Sequence, residues 1–128
     1  TRALFTAEGL DLIALAAPTT SPERTGMICD GAQGYLYYVS FAGVTGAGHL
    51  DAQAAGQRLR GLRGRSPVPV VAGFGIKDAA SAAAMAREAD GVVVGSALVA
   101  DLAQAISVED AVSRAAAILA PLRLALDA

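Results

Sequence analysis

The sequence predicts an α/β fold built on a parallel sheet. Apolar runs of strand length alternate with helical segments in the order βαβαβαβα, which is typical of parallel strands joined by right-handed crossovers. Glycines also cluster directly after the predicted strands, where parallel βα units place their binding sites. No linker or low-complexity tract divides the 128 residues, so we expect residues 1–128 to form a single unit of four strand–loop–helix repeats.

Each predicted element has a local signal. Strands are predicted from apolar runs bounded by glycine or proline, at 10–17, 35–40, 68–72 and 91–94. Helices are predicted between them, at 3–8, 22–30, 51–63, 79–89 and 107–126. Gly9 is the expected C′ glycine of the first helix, and Ser21 and Asp78 are expected N-caps. Ser107 and Asp110 fit a capping box, and Pro121 is expected to bend or interrupt the last helix.

Composition narrows the class of partner and the compartment. A net charge of −2, a pI near 5.2 and 5% aromatic residues argue against nucleic acid or an anionic membrane surface. The single cysteine, Cys29, excludes an internal disulfide and favours a reducing cytoplasm. We identify no signal peptide or membrane-spanning run. Because the chain begins Thr1-Arg2, we expect a processed or truncated piece of something longer.

The stretch from Asp90 to Val99 carries the clearest ligand signal. Three valines after Gly91 predict a strand covered on both faces. Gly95 then allows a ligand to approach the backbone, and a helix starting at Ser96 directs free N–H groups and a positive dipole end outward. These groups and the Ser96 hydroxyl suit a phosphate. A plain tight strand-to-helix turn is the alternative.

Glycines after the other strands extend this hypothesis. One anion cradle can be lined jointly by Gly43, Gly46, Gly48, Gly73, Gly75 and Gly95. Gly73-Phe-Gly75 also begins like a dinucleotide fingerprint, but Asp78 stands where the third glycine belongs. The sequence therefore does not support a Rossmann site.

Catalytic acids and bases are missing from the predicted strand ends. Neutral-pH lyase or isomerase chemistry needs such a pair, commonly two carboxylates. The acidic residues instead fall into two groups. Some lie at helix starts, where capping explains them, and others precede strands, at the edge of the sheet opposite the expected site. Together they are Asp11, Asp51, Asp78, Glu88, Asp90, Glu109 and Asp110. No histidine is placed to activate Ser40, Thr45 or Ser96 as a nucleophile.

The remaining candidates each have a structural explanation. His49, the only histidine, lies in a glycine-rich loop and is expected to be solvated, and Cys29 is expected in the core. Lys77 has two explanations, contact with an anion or simple solvent exposure after a strand. Strand alternation can direct Tyr37 towards a planar ligand inside the sheet's curve, while core packing explains it equally well.

Several motifs in this order closely resemble the tryptophan synthase alpha chain family. They are Ala17-Pro-Thr-Thr20, Tyr35-Leu-Tyr-Tyr-Val-Ser40, Gly43-Val-Thr-Gly-Ala47, Gly73-Phe-Gly-Ile76 and Asp90-Gly-Val-Val-Val-Gly-Ser-Ala97. The resemblance covers essentially the whole chain. It implies the C-terminal half, strands 5–8, of a TIM (β/α)8 barrel, whose full length is typically about 250 residues.

The resemblance also implies a function. The family cleaves indole-3-glycerol phosphate to indole and glyceraldehyde 3-phosphate, and the indole passes to a beta chain that carries pyridoxal phosphate. Carried over, the phosphate would be bound by Gly46, Gly75, Gly95 and Ser96. Tyr37 and Phe74 would flank the indole, and Thr45 would lie in the closing loop. No cofactor is expected on this chain, and the family's catalytic carboxylates lie in the other half.

Two alternatives remain open at this point, and one departure is evident. Another phosphate-binding barrel, such as a thiamine-phosphate or ribulose-phosphate enzyme, shares the last two glycine turns but not Gly43-Val-Thr-Gly46. A non-catalytic half-barrel that binds anions or assembles is the other alternative. Phe41-Ala42 replaces the polar residues expected at the start of the closing loop, which bears on loop closure.

The half-barrel also carries an expectation about assembly. Its first and fourth strands are apolar edges without a protective charge, proline or bulge. We therefore expect the chain either to pair with itself about a two-fold axis or to retain the missing N-terminal half as a separate piece.

Overall fold

A computed structural model describes residues 2–39, 50–73, 76 and 78–127. The helices are α1 (Arg2–Ala7), α2 (Pro22–Asp30), α3 (Leu50–Arg65), α4 (Ala79–Ala86), α5 (Ser96–Leu102) and α6 (Val108–Asp127). The strands are β1 (Ala14–Ala16), β2 (Leu36–Val39), β3 (Val70–Gly73) and β4 (Gly91–Val93). All neighbouring strands pair in parallel in the order β1-β2-β3-β4. The predicted α/β fold is confirmed.

Local capping chemistry sets the helix ends as predicted. Gly9 has a φ of +68°, and the Leu10 N–H donates to the Phe5 carbonyl at 2.9 Å, which closes α1 in a Schellman-type turn. The Ser21 hydroxyl accepts from the Arg24 N–H at 3.3 Å, directly before Pro22 in α2. Asp78 caps α4 in a reciprocal capping box with Ser81.

The strands are shorter than predicted. β1 covers only Ala14–Ala16, because Leu10 still belongs to the C-terminal turn of α1 and the Ala17 N–H donates to Thr20 Oγ1 at 2.9 Å. The ends of an apolar run thus lie in turns that satisfy their own backbone groups, so hydrophobicity alone overestimates strand length.

Two helix predictions also differ from the structure. α4 ends at Ala86, and the Ala89 N–H turns back to the Met85 carbonyl at 3.1 Å. α6 runs through Pro121 without interruption, and the bend that the sequence analysis gives as the other outcome stays a prediction. Pro121 and Ala117, whose carbonyl loses its helical donor, are both exposed. Water can therefore replace the missing hydrogen bond.

The main core lies on the outer face of the sheet, under α2 and α3. Its buried members are Ala16, Cys29, Leu36, Tyr38, Leu59, Leu62, Val70, Ala72 and Ala89. Within β2 only alternate residues belong to it, as the two-residue period of a strand requires. A second cluster packs α4 and α6 against β4 through Ala82, Ile118 and Leu122. Cys29 is a free buried thiol, as expected.

Among the residues that the structure describes, no helix packs on the inner face of the sheet. Leu15, Tyr37, Val71 and Gly91 are register partners across the four strands, and none of them is buried. Leu15 is 62% exposed, whereas Leu36 on the outer face is 0% exposed. β4 is half-buried throughout rather than covered on both faces, so that prediction is wrong. The valine run is compatible with a parallel strand that the described residues cover on one face only.

Asp90 ties three elements together at the N-terminal edge of the sheet. Its Oδ1 accepts from Arg63 Nε at 2.7 Å, and its Oδ2 accepts from the Val70 N–H at 2.9 Å. Its own N–H donates to the Val70 carbonyl at 2.8 Å. The side chain therefore joins α3 to the start of β3 and the entry of β4.

We expect Asp90→Ala to lower the free energy of unfolding by about 1–3 kcal/mol, because the N–H of fully buried Val70 loses its acceptor. Asp127→Ala is the matched control, since it removes an exposed i,i+4 pair with Arg123 and should cost at most about 1 kcal/mol. Urea unfolding of both variants measures the difference. Equal costs would show that Asp90 acts only as a surface charge.

Tyr37 lies over a glycine of the neighbouring strand. A Cβ built on Gly73 would lie 1.8 Å from Tyr37 Oη and 2.3 Å from Tyr37 Cζ. Gly73 is two residues beyond Val71, the register partner of Tyr37. The ring therefore leans along the inner face towards the C-terminal edge, and the absence of a side chain at position 73 makes room for it.

We expect Gly73→Ala to displace the Tyr37 ring, because the clash falls on a side chain that can rotate about χ1. The NMR signals of the Tyr37 ring should shift strongly while Tyr38, on the opposite face, changes little. Gly61→Ala is the control, since a Cβ there meets nothing within 4 Å. An unperturbed Tyr37 ring in Gly73→Ala would contradict this packing.

Candidate functional site

The turn from β4 into α5 presents a helix N-terminus at the C-terminal edge of the sheet. Gly95 is the N-cap, with φ −118° and ψ −82°, and no side chain caps it. The Gly95 carbonyl accepts from the Val99 N–H at 3.0 Å, which begins the helical ladder. The N–H groups of the first turn, from Ser96 onward, therefore have no acceptor within the helix.

Gly95 is not required by packing against the residues that the structure describes. Its φ is negative, and a Cβ built there meets none of their atoms within 4 Å. No described neighbouring side chain therefore explains a glycine at this position. The open space above it leaves room for an external group to approach the backbone.

Ser96 completes the polar surface of this turn. Its side chain is exposed, and its hydroxyl makes no hydrogen bond with any residue that the structure describes. A hydroxyl beside unpaired N–H groups at a positive dipole end favours an anionic oxygen.

Tyr37 lies on the inner face, with its hydroxyl at the level of Gly73. Gly73 pairs with Val93, two residues before Gly95. The adjacent Tyr38 belongs to the outer core, where burial raises the pKa of its phenol despite the charge of Arg58. Core packing thus explains Tyr38, while Tyr37 lies on the uncovered side of the sheet that a ligand can reach.

Several predicted site residues lie outside the described residues. They are Gly46, Gly75, Phe74 and Thr45, together with Gly43, Gly48, His49, Lys77, Phe41 and Ala42. The structure brings Tyr37, Gly95 and Ser96 to one end of the sheet, and the full glycine cradle stays a prediction. The sequence analysis did not predict that Gly73 makes room for the Tyr37 ring. The only signal in the sequence is a glycine at the end of a strand, which is typical of a place where another group approaches the backbone closely.

Carboxylates near the sheet serve structural roles. Glu88 and Asp90 precede β4 and pair with Arg60 and Arg63 at 2.6 and 2.7 Å. Asp78, which follows β3, accepts from the Ser81 N–H at 2.8 Å and caps α4. Asp78 caps a helix, as the sequence analysis predicts, and Glu88 and Asp90 lie at the N-terminal edge of the sheet, where the ion pairs with Arg60 and Arg63 hold them.

Arg114 pairs with two acids, Asp110 in the first turn of α6 and Asp101 in α5. Its hydrogen bond lowers the pKa of Asp110, helped by the N–H of Ile106, and Asp101 lies 3.4 Å from the same guanidinium. An ionised carboxylate held in this way fits an N-terminal cap rather than a proton-transfer role.

The described part of the chain contains neither a metal-binding cluster nor a membrane-spanning helix. There, no three His, Cys, Asp or Glu side chains lie close enough to share a metal ion. Across the same residues, no helix combines the length and the apolar character that crossing a bilayer demands.

Relatives of this chain are found at high identity. It is 71% identical over 128 residues to the tryptophan synthase alpha chain of Xanthomonas oryzae pv. oryzae, covering 99% of this chain and 48% of that protein. It is 67% identical over 127 residues to the same protein of Xylella fastidiosa, with 99% and 47% covered. The chain therefore spans about half the length of these curated relatives.

Solved structures share the fold. A tryptophan synthase alpha chain from Legionella pneumophila matches with a TM-score of 0.77 and 38% identity, over 98% of this chain and 45% of that one. Tryptophan synthase from M. tuberculosis matches with a TM-score of 0.77 and 31% identity, over 97% and 43%. The sheet and its helices are accordingly half of a (β/α)8 barrel.

These likenesses extend along the whole chain rather than to the glycine turns alone, so they distinguish it from other phosphate-binding barrels. The sequence model of the family described as tryptophan synthase alpha chain matches residues 1–125. With the half-barrel fold and this coverage, the chain belongs to the tryptophan synthase alpha chain family.

Proposed function

We propose that this chain supplies the phosphate- and indole-binding wall of an alpha chain that cleaves indole-3-glycerol phosphate to indole and glyceraldehyde 3-phosphate. The observation that carries this proposal is the β4–α5 turn, where a glycine whose Cβ position meets no atom of the described residues precedes an exposed serine at a helix N-terminus. Family membership supplies the substrate class, and the turn supplies a place for its phosphate.

The wall has two parts. Gly95 and Ser96, with Gly46 and Gly75, bind the phosphate, and Tyr37 flanks the indole with Phe74. Thr45 belongs to the loop that closes over the substrate. Support for Tyr37 comes from its position on the uncovered inner face, at the same end of the sheet as Gly95.

The complete alpha chain works without a cofactor of its own and delivers indole to a beta chain that holds pyridoxal phosphate. Residues 1–128 belong to this enzyme as a single unit of its barrel. We place the protein in the cytoplasm, where the free thiol of Cys29 stays reduced.

This half alone should not perform the reaction, because the acids that follow β3 or precede β4, which are Asp78, Glu88 and Asp90, are held in a helix cap and ion pairs, and no acid–base pair is expected at its strand ends. Mixed with indole-3-glycerol phosphate, the 128-residue chain should release no indole above the uncatalysed rate. The complete Xanthomonas oryzae alpha chain is the positive control. Indole release at a comparable rate would show that the chain carries its own acid and base.

The phosphate turn is tested in a complete enzyme, built by placing this chain in the Xanthomonas oryzae alpha chain as its matching half. Ser96→Ala removes one hydrogen bond to a charged group, worth about 1.5–3 kcal/mol, and should weaken glycerol 3-phosphate binding by about one to two decades. Gly95→Val should abolish binding, because its side chain fills the open space.

Val99→Ala is the matched control, since Val99 is exposed on the same helix one turn further on. Calorimetry with glycerol 3-phosphate compares the three variants. If Ser96→Ala and Gly95→Val both bind like the parent, the phosphate lies elsewhere and this half serves only to assemble.

A further inference from the structure

The second apolar cluster lies next in the chain to two glycines of the proposed phosphate site. Its buried members are Ile76, Ala82 and Leu122. Ile76 directly follows Gly75, and Val94, which packs against the cluster, directly precedes Gly95. The β3–α4 connection and the β4–α5 turn therefore each have one side chain in the same apolar cluster.

Ile76 is buried although it belongs to neither a helix nor a strand. It lies in the connection between the end of β3 at Gly73 and the helix cap at Asp78, and its side chain is only 6% exposed. Side chains of connecting segments are usually found at the surface. Burial of this isoleucine therefore fixes the chain at the residue next to Gly75.

Val94 has the equivalent position before the β4–α5 turn. Val92 and Val94 both pack against the cluster, and the two-residue period of a strand places them on the same face. No residue separates Val94 from Gly95 and Ser96. The placement of this turn therefore depends on how Val94 packs.

α6 is the support that both segments share. Ile118, Leu122 and Leu126 follow one another at intervals of four residues, on the side of α6 that belongs to the cluster. Arg114, one turn before Ile118, also contacts Asp101 of α5 at 3.4 Å. This ion pair is partly exposed and contributes little, so the apolar contacts dominate the attachment of both segments to α6.

We propose that Ile76 is a positioning residue for the substrate's phosphate. From the outer face of the sheet, its packing with Leu122 holds the β3–α4 connection at a fixed separation from the Gly95-Ser96 turn. One phosphate can accept hydrogen bonds from both segments only at the correct separation, and an error of about 1 Å loses them. The inference rests on the proposed function for its ligand and adds a residue that does not contact that ligand.

Binding is measured in the complete enzyme described above, by calorimetry with glycerol 3-phosphate. Ile76→Ala should raise the Kd about tenfold, because the β3–α4 connection loses its anchor. Ile76→Val removes one methyl group and should stay within about threefold of the parent. Circular dichroism verifies that each variant folds.

Leu62→Ala is the matched control. It removes the same number of carbon atoms from a side chain that is 5% exposed, in the main core under α3. We expect it to lower the free energy of unfolding as Ile76→Ala does and to leave the Kd unchanged. An equal loss of affinity in both variants would overturn the inference, because Ile76 would then act through stability alone.

A double variant tests whether Ile76 and the turn act on the same phosphate. In the Ser96→Ala enzyme, Ile76→Ala should weaken binding by less than about threefold, because the hydrogen bond that it misplaces is already absent. A further full tenfold loss would contradict the proposed role, since Ile76 would then affect the ligand by another route.

The Ser96 amide reports the same link without a ligand. In enzyme labelled with 15N-serine, its NMR signal is identified by its loss in Ser96→Ala. Both Ile76 variants should shift this signal, and Leu62→Ala should not. An unmoved Ser96 signal would refute the link through Ile76, whereas unchanged binding in Ser96→Ala would refute the proposed phosphate site.

Discussion

A parallel sheet is normally covered on both faces, and the described residues of this chain cover only one. The helices α2, α3, α4 and α6 bury the outer face, where Leu36, Tyr38 and Val70 are almost inaccessible. Apolar burial contributes about 25 cal/mol per Å², so the stability of the chain comes from that side. Its binding surface and its open edges are consequences of the uncovered inner side.

The same one-sided packing positions the candidate site. Because the outer core holds Tyr38, the two-residue period of β2 places Tyr37 on the inner face, where the missing side chain of Gly73 makes room for the ring. Asp90 secures the opposite end by joining α3 to β3 and the entry of β4. The candidate ligand contacts thus lie towards the C-terminal edge, while Asp90 supports the sheet at the N-terminal edge.

The helix ends could be predicted from capping residues close to them in the sequence. The cover of the strands and the contacts between them depend on tertiary structure. Ser21, Asp78 and Gly9 act within one turn of their own position, so their roles could be recognised from the sequence. β4 was recognised as a strand, but its cover was not predicted correctly, because a valine run contains no information about whether its second face is covered. The contact between Tyr37 and Gly73 depends on strand register and could not be predicted.

The central claim, a sheet packed on one face only, is tested most directly by hydroxyl-radical footprinting of the chain alone, read by mass spectrometry. Side chains on the two faces of β1 and β2 supply the comparison: Leu15 and Tyr37 should be oxidised, while Leu36 and Tyr38 should be protected. Protection of all four side chains would contradict the account, because it would mean that the inner face is already covered.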